Sequence, residues 1–203
     1  MRNRGAPLAA VLLAVTAVMI TAGTASANRG IALGVSEGEL GRVQASSSAI
    51  TFTDATVSFR ITCEVTKTLR LNNSITKAAG AAVGTVTAIT VRNCTGGGVR
   101  MLTESLPWRM SYVSYSGTLP NIREVRFEIV SFAFLIESPF GAERCLFIGN
   151  AQETTSGNPI NSMVFDETVL LPFGKNLGIG TCPSEVIISG SLTLRPVVQM
   201  RLI

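Results

Sequence analysis

Hydrophobic and polar residues alternate along most of this chain, and the alternation is clearest near its end. Val186, Ile188, Leu192, Leu194, Val198, Met200 and Leu202 all occupy even positions, with Gly190 and Pro196 completing the row. Successive side chains of a strand point to opposite faces, so this row predicts one long strand, or two joined at a bulge near Pro196, with the even face inward. In ATVSFRIT, Val57, Phe59 and Ile61 alternate with Thr56, Ser58, Arg60 and Thr62, the pattern of a strand with one wet face. Between Asn121 and Ile136, Val125, Phe127 and Ile129 oppose Arg126 and Glu128; the run VSFAFLI then turns apolar on both faces, as a strand entering a buried position does.

Further strands are expected near 31–35, 49–53, 67–71, 83–92, 108–115, 144–149, 163–170 and 186–194. TGGG at 95–98, SGTLPN at 116–121, TTSGNP at 154–159 and PFGKNLGIG at 172–180 separate them with turn-forming residues. Only KAAGAAVG, 77–84, has room for a helical turn. Many short strands punctuated by Gly, Pro and Ser predict an all-β fold, an antiparallel sandwich or barrel.

The first 27 residues depart from this pattern. Basic Arg2 and Arg4, an apolar run from about Leu8 to Ile20, and small residues at Ala25 and Ala27 form a secretory signal peptide. The run is shorter than the roughly 18 residues of a spanning helix. Residues 28–203 are therefore expected as a single exported domain with no integral membrane segment. Removal of the two arginines lowers the formal charge from +4 to +2, and the remaining basic residues are scattered, so nucleic acid is not an expected partner.

Export changes how Cys63, Cys94, Cys145 and Cys182 are read. Their spacings contain no CxxC and the chain has no histidine, which disfavours a metal site and predicts two disulfides. Of three possible connectivities, Cys63–Cys94 with Cys145–Cys182 is favoured because each pair closes the shorter loop between neighbouring elements. No metal and no cofactor is expected.

The segments TCEVTKTLRL, KAAGAAVGTVTAITVRNC, LPWRMSYVSYSGTLPNI and ERCLFIG resemble a group of uncharacterised exported proteins of actinobacteria, over roughly Thr51 to Gly149. The resemblance implies an exported all-β protein with paired cysteines. It brings no activity and no catalytic residues.

Candidate chemistry is sparse. GVSEG at 34–38 fits G-x-S-x-G around Ser36, and Ser74-Ile75-Thr76-Lys77 fits S-x-x-K. The first has neither a histidine base nor an alternating βα pattern; the second lacks the S-D-N and K-T-G elements. The carboxylates that are candidates for a glycoside-hydrolase pair include Glu37, Glu39, Asp54, Glu137, Glu143, Asp166 and Glu167. The only tryptophan and both tyrosines, Trp108, Tyr112 and Tyr115, cluster beside Arg109 as a candidate ligand-binding platform. On a strand, Trp108, Met110 and Tyr112 share one face, read as core, while Tyr115 shares the other with Arg109.

These features describe a non-catalytic binding or structural module of the cell envelope or extracellular space, with an envelope or extracellular ligand as its partner. A carboxylate-dependent hydrolase is the alternative from the enzyme class. A small outer-membrane barrel is the third reading, and one tryptophan with two tyrosines is poor material for its aromatic girdles.

Overall fold

A computed structural model describes residues 30–35, 41–54, 59–118, 121–137, 144–173 and 182–202. Its elements are β1 (Ile31–Val35), β2 (Arg42–Thr53), β3 (Arg60–Leu71), β4 (Ser74–Ile75), β5 (Ala82–Thr95), β6 (Gly98–Met101), a 3-10 turn (Thr103–Ser105), β7 (Trp108–Thr118), β8 (Asn121–Glu137), β9 (Arg144–Ser156), β10 (Ile160–Leu170) and β11 (Val186–Leu202). All pairings between these strands are antiparallel.

The order β10-β9-β8-β7-β5-β3-β2-β11 returns to its start because β11 also pairs with β10. Eight strands thus close into a barrel, and the two-sheet sandwich is excluded. Three wall positions hold two strand segments in line. β1 and β2 lie along β11 in turn, β3 is continued by β4 opposite β1, and β6 precedes β7 along β8.

Alternation decides which residues fill the lumen. On β3, Ile61, Cys63, Val65, Lys67 and Leu69 are buried, while Arg60, Glu64 and Arg70 face out. On β11, Val186, Ile188, Leu192, Leu194, Val198 and Met200 are buried, and Ser191, Thr193 and Arg195 are exposed. The even row of the sequence is therefore the inner wall. β11 runs through Pro196 as one strand. Its ladder to β2 slips between Ser189 and Thr193, at Gly190, and its ladder to β10 slips between the Thr193 and Val198 pairs, around Pro196. Gly190 has φ +137°, and a Cβ there would lie 2.9 Å from the Ala49 carbonyl oxygen, so the bulge needs glycine.

Two expectations are corrected. VSFAFLI is buried on both faces only at Phe132, Ala133 and Phe134, and the rest of its apolar appearance comes from a change of phase. A bulge at Ser131, φ 60°, falls between the Ile129 and Phe132 pairs, so the inward row changes from Val125, Phe127 and Ile129 to Phe132, Phe134 and Ile136. KAAGAAVG forms no helical turn. It makes a tight turn through Gly80, φ +82°, and enters β5, where Gly84 packs so closely on β3 that a Cβ would sit 2.2 Å from the Arg70 carbonyl oxygen.

Both disulfides lie toward one end of the barrel. Cys63 joins Cys94 across the β3–β5 pair, with Cα atoms 4.1 Å apart; Cys145 at the start of β9 joins Cys182, with Cα atoms 5.5 Å apart. This is the expected connectivity, and it places folding in an oxidising environment. Phenylalanines fill the lumen in the same half: Phe134 meets Phe52 edge-on at 5.4 Å and stacks on Phe147 at 5.5 Å. No helix among the described residues is long and apolar enough to cross a membrane.

The inner and outer rows of β11 should respond differently to charge. Leu194 is 3% exposed, so Leu194→Asp buries an unpaired carboxylate and should lower stability by on the order of several kcal/mol, whereas Arg195→Asp should change it by roughly 0.5 kcal/mol or less. Urea denaturation of the two variants checks this; equal tolerance would contradict the register.

Candidate functional site

The inward row of β3 carries one residue that does not belong in an apolar core. Lys67 stands between Val65 and Leu69, and its side chain is wholly buried. On β9 the inward row contains Ala151, Glu153 and Thr155, and Glu153 is likewise wholly buried. β3 and β9 are four strands apart in either direction around the ring, so these two side chains approach from opposite walls. They meet: Lys67 Nζ donates a hydrogen bond to Glu153 Oε1. The ammonium also lies 5.3 Å from the centroid of the Phe165 ring, a cation–π contact from β10.

Removing two charges from water is expensive, and here the cost shows in the lysine. Burial pushes Lys67 below the ordinary lysine pKa; the charge of Glu153 and their hydrogen bond oppose the shift. The second carboxylate oxygen, Glu153 Oε2, is buried and has no hydrogen-bond partner among the described residues. An ionised carboxylate can accept about four hydrogen bonds, so the site has unused acceptor capacity.

One inward step along the strands, away from the disulfides, the lumen is incompletely filled. A partly open apolar cavity of about 20 Å³ lies there. Leu69 and Thr155, each two residues beyond a member of the ion pair, line its inner side. Met110 and Met163 form flexible walls, and Leu71, Ile160 and Val198 lie toward the barrel end. A volume of this size holds about one water, and the apolar lining offers a water too few partners to stay. Thr155 spends its hydroxyl proton on the Val125 carbonyl, 3.2 Å away.

The tryptophan–tyrosine cluster is placed differently from an exposed platform. Trp108, Met110 and Tyr112 are buried; the Trp108 ring meets Phe132 edge-on at 5.1 Å and its Nε1 donates to Ser105 Oγ at 2.7 Å. A register shift between Tyr112 and Ser114 separates Tyr115 from Arg109 and brings it opposite the inward Val125, where it packs half-buried on the core. The expectation that Tyr115 shares a face with Arg109 is thus overturned by a bulge. Lys77 lies 5.7 Å over the Tyr115 ring, and Arg109 stays outside, donating to the Gly80 carbonyl. Burial, and secondarily Tyr115, raises the Tyr112 pKa above the ordinary tyrosine value.

Among the described residues, the carboxylates considered for catalysis are held away from this pair by other surroundings. Glu137 pairs with Arg144 at 3.3 Å and Asp166 with Arg126 at 3.7 Å, both partly exposed, and Asp54 is buried just beyond the end of β2. Ser36, Glu37, Glu39 and Glu143 lie outside the described residues, as does the side chain of Glu167. Ser74 is exposed on β4. Lys67 and Glu153 were not among the sequence candidates. The signal for Lys67 was present, since strict alternation through TCEVTKTLRL puts it in the row of Ile61, Val65 and Leu69.

No protein-family model matches the chain, nor does any curated protein or solved structure.

The two members of the pair should be strongly interdependent. Lys67→Met alone strands a buried carboxylate and should cost about 3–5 kcal/mol, while Lys67→Met with Glu153→Leu should recover most of that loss. A double-mutant cycle by chemical denaturation measures the coupling; additive losses would contradict a direct pair.

Proposed function

We propose that this chain is an exported, non-catalytic binding module that holds a small, largely apolar ligand in one end of its barrel. The observation that carries the reading is the asymmetry of the lumen. One half is packed with phenylalanines and tied by both disulfides; the other contains a partly open apolar cavity walled by two methionines. Eight-stranded barrels are of a size to hold one small ligand, and their mouths are favoured ligand positions. Methionine is the apolar side chain best able to make room, since its thioether chain changes rotamer at little cost.

Export, and a place in the envelope or outside the cell, belong to this proposal. The oxidising environment indicated by the disulfides supports them. The outer wall also favours a water-facing barrel over a membrane-spanning one. Arg42, Gln44 and Ser46 on β2, Arg60, Glu64 and Arg70 on β3, and Ser191, Thr193 and Arg195 on β11 all point outward and are exposed, where a lipid-facing band would be apolar. A second binding reading rests on the exposed Val169, Leu171 and Phe173 at the end of β10, which offer an apolar patch on the outside of the wall.

Benzene titrated into protein labelled at the methionine methyls tests the lumen reading. The Met110 and Met163 signals should shift saturably, and Val198→Phe, which fills the cavity from its rim, should abolish the response. Linear, unsaturable shifts spread over the whole protein would leave the lumen without a binding role.

A further inference from the structure

The apolar cavity and the ion pair occupy successive inward layers of the lumen, and Glu153 Oε2 has no partner among the described residues. Thr155 lines the cavity and Glu153 is the next inward residue on the same strand, about 7 Å away at ordinary strand rise. Leu69 and Lys67 stand in the same relation on the opposite wall. A ligand seated in the cavity and extended inward by one two-residue strand repeat would come level with the ion pair.

We propose that the lumen selects an uncharged amphiphile, an aliphatic chain ending in a hydroxyl, whose hydroxyl donates to Glu153 Oε2. This inference rests on the lumen-binding reading and adds the ligand's polar group. Lys67 and Glu153 already neutralise one another, so the pair itself leaves no net charge for a ligand to balance. An ammonium would bring an unpaired positive charge into an apolar interior, and a carboxylate would face Glu153 with the same sign; both carry a large desolvation cost. A hydroxyl brings no charge. It supplies the donor that Oε2 lacks among the described residues, and its own oxygen can accept from the Lys67 ammonium, which has three protons and, among the described residues, one acceptor in Glu153 Oε1. The chain of such a ligand lies between Met110 and Met163, the side chains able to move aside for it.

The experiment compares n-hexanol with 1-chlorohexane, which has a similar shape and no donor. Affinities are read from the Met110 and Met163 methyl signals in the wild-type protein and in the Lys67→Met/Glu153→Leu double variant, which keeps the cavity and removes the acceptor. The ratio of alcohol to chloride affinity should fall about tenfold or more in the double variant, the factor supplied by a hydrogen bond to a charged group. Glu153→Gln, close in shape to the native residue, should move the ratio the same way if the double variant does not fold. In the wild type, n-hexylammonium and hexanoate should bind at least about tenfold more weakly than n-hexanol. An unchanged ratio, or equal binding of the charged analogues, overturns the hydroxyl proposal while leaving an apolar lumen site standing. Failure of both n-hexanol and 1-chlorohexane to bind overturns the lumen reading itself.

Discussion

A lysine and a glutamate meeting across the middle of an apolar barrel set a constraint that the rest of the lumen has to satisfy. Neither group is tolerable there alone, because an isolated charge in such surroundings costs several kcal/mol or is forced to neutralise. The pair can form only if β3 and β9 stand on opposite walls in the register that brings Lys67 level with Glu153. A slip of one residue on either strand would turn its charge outward and bring an outward residue in. The pair therefore rewards one closure of the sheet over its near alternatives, whatever its net contribution to stability.

Above and below this pair the lumen is built from different materials. Toward the disulfides, aromatic rings interlock and two covalent links join neighbouring segments. In the chain-entropy account, loops of about 30 residues closed in this way favour the folded state by roughly 3–4 kcal/mol each. Toward the other end, methionine, leucine, isoleucine and valine side chains and the Phe127 ring surround a gap that packing leaves. Stability concentrated in one half permits looser packing in the other, which is the arrangement a ligand site needs if entry requires side chains to move.

Much of this architecture was legible in the sequence, and the failures have a common cause. Period-two alternation found part of every long strand, although it divided Arg60–Leu71 in two and missed residues 42–48 and 150–156, and in β11 it identified the inner face at Val186, Ile188, Leu192, Leu194, Val198 and Met200. The disulfide pairing is the one that loop length favoured among three. What alternation could not show were the places where it changes phase: the bulges at Ser131 and between Tyr112 and Ser114 each add a residue that looks like any other strand residue. The first bulge made VSFAFLI look buried on two faces beyond the stretch around Ala133 where it is, and the second put Tyr115 on the wrong side. Short segments such as β4 and β6 carry too few residues to show a period. Sandwich and barrel share the same local pattern, since closure depends on the β10–β11 pairing between segments whose contact no local pattern specifies. The ion pair was half-legible: Lys67 sat visibly in an inward row, but its partner lies 86 residues away, and only the closed ring brings the two together.

The most direct test of this account is the titration of the three lysines of the chain, followed by their 13Cε shifts between neutral pH and about pH 11. One signal, identified by its loss in Lys67→Met, should titrate below the ordinary lysine value because burial disfavours its charged form. If all three titrate together at the ordinary value, Lys67 is in water, and the buried pair across the lumen does not exist.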